Sequence, residues 1–172
     1  MPMLVHLADA RNIRSIAKTK IKGAKRCVAT KQDVVELRNA VYCMPVLKDY
    51  YASHQWLREL KRDGTRAIVG VYFRLKAEEK VWFGRYNQPH FEMPLGEAIG
   101  RLMKKADALG YEIIVPRAIE RHEIRRIKTL PQVLGWRFYP QAHGRKPCLC
   151  CVGRGEIKSK RLREKGKALG EF

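Results

Sequence analysis

The sequence predicts an α+β domain with a basic C-terminal extension. Three observations carry that expectation. Short apolar runs with strand chemistry recur from residue 2 to residue 115, two or three segments with helical apolar spacing stand between them, and no internal repeat is present. Composition divides the chain into residues 1–140, which hold the periodic segments, and residues 141–172, where Gly, Cys and basic residues leave little periodicity. A chain of 172 residues is one domain by size and can bury a real core.

In chain order, residues 2–7 read as a short strand. Residues 10–20 carry Ile13, Ile16 and Ala17 at helical spacing, and Gly23 ends that unit. Residues 24–40 are basic and then mixed, and read as a loop with a short helical piece. Residues 40–44 form a strand halted by Pro45. Residues 50–62 read as one helix, with Tyr51, Trp56, Leu57 and Leu60 mostly on one side and Asp63-Gly64 closing it. Residues 67–75 are the strongest strand, and 80–86 a second, with Glu78 and Glu79 near the turn between them and Glu92 in a later turn. Residues 94–109 read as an amphipathic helix through Leu95, Ile99, Leu102 and Met103, stopped by Gly110. Residues 111–115 are a strand ended by Pro116, residues 119–127 a short charged segment, and residues 135–139 a final strand.

The net charge is +19 and the isoelectric point about 10.1. The charge is uneven: residues 11–31 hold eight Lys/Arg and no acid, and residues 145–167 hold nine against Glu156 and Glu164. Such a surface attracts polyanions, because cations that neutralise phosphates release counterions. Nucleic acid is the expected partner. A membrane is not, because no basic helix with a large apolar face is present. With no signal peptide and no apolar run near 18 residues, a cytoplasmic protein is expected. Five cysteines, an odd number, argue against a secreted disulfide framework.

Three short segments carry the candidate chemistry: His6-Leu-Ala-Asp-Ala-Arg-Asn12-Ile13, Val41-Tyr42-Cys43-Met44-Pro45 and Tyr111-Glu112-Ile113-Ile114-Val115. Each reads as the start or body of a strand and carries one polar residue that a core strand does not need. Glu112 is the most pointed of them, because an unpaired carboxylate inside an aliphatic strand is costly. The plainer alternatives are an edge strand turning Glu112 to solvent, Tyr42 as a core aromatic, His6 as a surface strand histidine and Asn12 as a helix N-cap. Glu120 and Glu123 are rival acids, read as a solvated segment paired with Arg121, Arg125 and Arg126 at helical spacing.

The His–Tyr–Glu order resembles the ADP-ribosyltransferase superfamily, and within it the DarT-like bacterial toxins that modify nucleic acid. Those toxins open with a histidine six residues before an asparagine and an apolar residue, here His6, Asn12 and Ile13. Their second motif is an aromatic pair followed by proline, here with Tyr42 before Pro45, and their glutamate opens a strand of three aliphatics, here Glu112 before Ile113, Ile114 and Val115. The likeness covers roughly residues 4–127. It departs at Ala8, where a Thr or Ser is usual, and at Val46, where an arginine is usual; Lys48, Arg58 and Arg11 are the available substitutes.

The resemblance implies a split antiparallel sheet with flanking helices. It also implies NAD as co-substrate, held by His6, Asn12 and Tyr42, with Glu112, His6 and Tyr42 catalytic. Cleavage of the nicotinamide–ribose bond develops positive charge on the ribose, as in glycoside hydrolysis. The site must stack the nicotinamide, fix the ribose and supply a carboxylate; Tyr42, His6 and Glu112 match those tasks in that order. The implied product is single-stranded RNA or DNA carrying ADP-ribose, in a toxin or phage-defence setting with an antitoxin partner. The competing readings are a basic nucleic-acid-binding module without catalysis, and an RNA 2′-phosphotransferase, which relies on arginines and a histidine rather than a glutamate.

For the polynucleotide, aromatics interleaved with arginine supply stacking platforms. Tyr50, Tyr51, Trp56, Trp82, Trp136, Arg137 and Tyr139 are candidates, with Arg85-Tyr86-Asn87 the preferred exposed group and Arg145, Lys146, Arg154, Lys158, Lys160 and Arg161 as a terminal clamp. His143, Cys148, Cys150 and Cys151 are zinc-type ligands, but Cys-Leu-Cys-Cys lacks Cys-x-x-Cys spacing, so no metal is expected.

Overall fold

The structure is a computed structural model and describes residues 1–61, 65 and 67–135. It is an α+β fold built on an antiparallel sheet. The strands are β1 (Met3–Asp9), β2 (Lys20–Ile21), β3 (Ala24–Ala29), β4 (Val34–Pro45), β5 (Ile68–Arg74), β6 (Lys80–Arg85), β7 (Phe91–Pro94), β8 (Tyr111–Val115), β9 (Ile119–Glu120) and β10 (Ile124–Thr129). The helices are α1 (Ile13–Lys18), α2 (Tyr50–Ser53), α3 (Leu57–Lys61) and α4 (Leu95–Met103). Among the described residues the main sheet runs β10-β5-β1-β4-β8-β6-β7, with β3 paired to β4, while β2 and β9 form a separate ribbon.

The central strands are those the sequence marks most strongly. β5 is buried at every position from Ile68 to Phe73, and β8 from Glu112 to Val115. Leu95, Ala98 and Leu102 of α4 fall at i, i+3 and i+7 and enter the core with Val81, Phe83, Ile113 and Val115. This helix ends at Met103, well before Gly110: residues 103–107 are all exposed and leave no apolar face to bury.

Four local expectations are corrected. Residues 24–40 are not a loop with a helical piece but a hairpin, with Cys27 opposite Glu36 and Ala29 opposite Val34, closed by Thr30 bonding to the backbone of Asp33. β3 gives no period-two signal because only Val28 in it is buried. The segment 50–62 is not one helix: His54 and Gln55 interrupt it, and their buried side chains bond elsewhere, His54 to the Tyr72 hydroxyl and Gln55 to Ala108 and Gly110. The charged segment 119–127 is β9, a turn at 121–123 and the start of β10, and its acids do not pair at helical spacing. Glu123 binds Arg117, which also binds Glu79 of the β5–β6 turn, and Glu120 binds Lys20 across the β2–β9 ribbon. Glu92 lies in β7 rather than a turn.

Residues 141–172 and nearly all of the expected strand at 135–139 lie outside the described residues. Among the described residues no helix is long and apolar enough to cross a membrane.

The α4 register is testable by urea denaturation. Leu102→Ala, at a site 1% exposed, is expected to cost about 2–5 kcal/mol. Met103→Ala, 68% exposed, is expected to stay within about 0.5 kcal/mol of wild type.

Candidate active site

β1 pairs with β5 along its whole length, from Met3 opposite Arg74 to Asp9 opposite Ile68. Its ladder with β4 is far shorter, Leu4 opposite Pro45 and Val5 opposite Met44. His6 is the first residue past that short joint. Its Nδ1 lies 2.8 Å from the Tyr42 carbonyl oxygen. A carbonyl only accepts, so Nδ1 carries the proton and Nε2 of a neutral ring presents a lone pair. Burial lowers the His6 pKa, against the opposing pull of the Tyr42 carbonyl, and so favours that neutral ring. Among the described residues Nε2 takes no hydrogen bond.

β4 then places Tyr42 opposite Ile114 of β8, which lies opposite Trp82 of β6. Strand alternation puts Glu112 on the same face as Ile114, and therefore on the face of Tyr42. The ring of Tyr42 is half-buried, packed with Val28, Leu37, Ala40 and Trp82, and the Arg26 guanidinium stands 5.9 Å from its centroid. The phenol is pushed up to about 12. Burial is the largest cause and the negative charge of Glu112 the next, with Arg26 opposing and Tyr86 adding.

Glu112 is 8% exposed, and it is not on an edge, since β8 runs between β4 and β6. Its Oε1 lies 3.0 Å from Nε2 of His90, itself 6% exposed. The His90 ring sits over Gly84, the residue opposite Glu112 on β6; a Cβ at Gly84 would stand 2.6 Å from the ring. Nδ1 of His90 lies 2.9 Å from the Gln88 carbonyl, and its backbone N–H donates to the Ala29 carbonyl at the end of β3.

The chain matches no protein-family model, no curated protein and no solved structure.

The remaining sequence-selected residues fall as follows. Asn12 is exposed and makes no capping bond; Asp9 caps the turn instead and holds Arg11 at 2.6 Å. Ala8 is buried and Val46 packs against the core, while Lys48 and Arg58 are exposed. Arg85 is exposed, 4.0 Å from Asp107. Tyr86 is half-buried, edge-on to Trp56 at 5.4 Å, and Trp56 donates to the Tyr111 carbonyl at 2.9 Å. Arg145, Lys146, Arg154, Lys158, Lys160, Arg161, His143, Cys148, Cys150 and Cys151 lie outside the described residues. Among the described residues no cluster of His, Cys, Asp and Glu is arranged to hold a metal, and Cys27 and Cys43 are free thiols.

Sequence reasoning missed His90 and Arg26. A signal existed for His90: an isolated glycine inside a strand marks a close approach of other groups, and Gly84 is that glycine. Arg26 was hidden in the basic run.

An ultraviolet titration tests the electrostatics. The Tyr42 phenol should ionise above the ordinary tyrosine value of 10.0, near 12, and fall towards it in Glu112→Gln. Because the folded value is the higher one, the stabilisation is fully present below pH 10 and is lost between about pH 10 and 12. Tyr42→Phe should remove that share of alkaline destabilisation.

Proposed function

We propose that the chain is an NAD-dependent mono-ADP-ribosyltransferase that modifies nucleic acid, acting as a toxin or phage-defence effector. The observation that carries this reading is adjacency. The strands bearing His6, Tyr42 and Glu112 are β1, β4 and β8, three neighbours at the middle of the sheet, and the β1–β4 joint is only two residue pairs long. Such a joint, parting at His6 and Tyr42, is what a split sheet with a nucleotide-binding crevice requires.

The residues fit the dinucleotide. The bare Nε2 of neutral His6 suits a ribose hydroxyl donor, and the partly open ring of Tyr42 suits a flat nicotinamide. The Arg26 guanidinium beside that ring is a cation where the usual motif-two arginine is replaced by Val46. NAD supplies an electrophilic ribose carbon whose bond to nicotinamide breaks with the electron pair leaving on nicotinamide. His6 orients the ribose. Tyr42, kept protonated across the physiological range, holds the leaving base without adding a competing charge. Glu112 places negative charge where positive charge develops, then takes the proton of the attacking group.

The +19 charge supports a polyanionic acceptor. Single strands are favoured because their bases are already unstacked. The resemblance implies a neutralising antitoxin.

The test is transfer of labelled ADP-ribose from NAD to single-stranded RNA, single-stranded DNA and protein. The wild type should label one nucleic acid. Glu112→Gln should lose about 10²–10⁴-fold of that rate while keeping salt-sensitive polynucleotide binding. No transfer by the wild type, with binding intact in both proteins, would reduce the chain to a basic binding module.

A further inference from the structure

We infer that His90 is a positioning residue for Glu112, holding one carboxylate oxygen through a shared proton so that the other is left to act. The kinetic consequence rests on the transferase reading; the pairing itself does not.

Three features carry it. The contact between Nε2 of His90 and Oε1 of Glu112 is 3.0 Å, and both side chains are enclosed. The ring has little freedom: Gln88 holds Nδ1, Ala29 holds the backbone N–H, and Gly84 leaves just enough space beneath it. The third feature is a count of protons. The Gln88 carbonyl cannot donate, so Nδ1 carries a hydrogen. The Nε2–Oε1 contact then needs one further proton, either on the ring as imidazolium facing carboxylate or on the acid facing imidazole. In both arrangements the pair is neutral overall. Without that proton two lone pairs would face each other and the contact would open.

Tyr42 of β4 lies close enough to feel the charge of Glu112, and Arg26 of β3 stands 5.9 Å from the centre of the Tyr42 ring. In the transfer step the acceptor's lone pair bonds to the ribose carbon as the nicotinamide bond breaks. With the shared proton on His90, Glu112 is the carboxylate whose free oxygen takes the acceptor's proton, while His90 keeps its own proton and holds the other oxygen in place.

Two substitutions separate positioning from packing. His90→Gln retains an N–H donor at the reach of Nε2 but cannot carry charge, and His90→Leu has no donor. His90→Leu should lower kcat about tenfold to a hundredfold with KM for NAD within about twofold. His90→Gln should recover most of that loss. Ring nitrogen NMR supplies a readout that needs no activity: the His90 signals, identified by their absence in His90→Gln, should have an Nε2 resonance that moves in Glu112→Gln. An Nε2 resonance indifferent to Glu112→Gln overturns the pairing. An unchanged kcat in His90→Leu, or equal losses in both His90 variants, overturns the positioning role. Absence of transfer by the wild type, with the NMR response present, overturns the transferase reading and leaves the pairing standing.

Discussion

A carboxylate carried into the interior of a central strand must find a donor, and much of this molecule is arranged around that need. Leaving such a group unpaired costs about 1–3 kcal/mol, and more when it is charged. β8 does not turn Glu112 to solvent: the strand lies between β4 and β6 and the residue is only 8% exposed. The donor therefore arrives from outside the strand. β6 offers a glycine opposite the acid, the chain turns through Asn87 at φ 58° and Pro89, and His90 folds back over the vacant Cβ position. Its backbone is tied to Ala29, so the end of the β3–β4 hairpin is drawn into the same arrangement. One acid thus couples β3, β6, β7 and β8.

β4 supplies the second constraint. It changes partners along its length: β3 from Val34 to Ala40, β8 from Val41 to Cys43, and β1 at Met44 and Pro45. At Tyr42 a side chain, His6, meets the carbonyl on the side of β1. The same residue presents a ring to the face of Glu112. The polarity of that face follows from the pairing. Burial and the nearby carboxylate keep the phenol protonated, burial keeps His6 neutral, and Arg26 supplies the compensating positive charge. One face of the sheet thus carries Glu112 and the Tyr42 ring, with Arg26 beside that ring, while the Val5–Met44 pair puts the His6 side chain on the alternate side of β1, where it reaches the Tyr42 carbonyl.

How much was legible in the sequence follows the range of the forces involved. β1, β5, β6 and β8 were readable because each is dense in aliphatic, β-branched or aromatic residues, with Pro2 opening β1 and Gly110 and Pro116 bounding β8. Leu95 and Leu102 of α4 were readable for the same local reason, but Met103, expected on the same face, is exposed and Ala98 takes the buried position. The β3–β4 hairpin was not, since Lys25, Arg26 and Cys27 are exposed and leave no alternation to detect. The helix at 50–62 failed in the opposite way: its apolar spacing is real, but Gln55 and Trp56 bond to Ala108, Gly110 and Tyr111, some 50 residues away. The acids of 119–127 also chose distant partners.

The sequence alone determined the α+β class, the strand identity of the three motif segments, the strong positive charge and the oddity of a glutamate among aliphatics. These are properties of composition and short-range periodicity, which one segment expresses without its neighbours. Only the tertiary structure decided that the three segments lie on adjacent strands, that Glu112 is enclosed rather than on an edge, and that its partner is His90. The physical reason is that backbone pairing and burial are set by which segments meet. A histidine 22 residues from a glutamate becomes its hydrogen-bond partner only after the fold and a glycine have brought the ring to it.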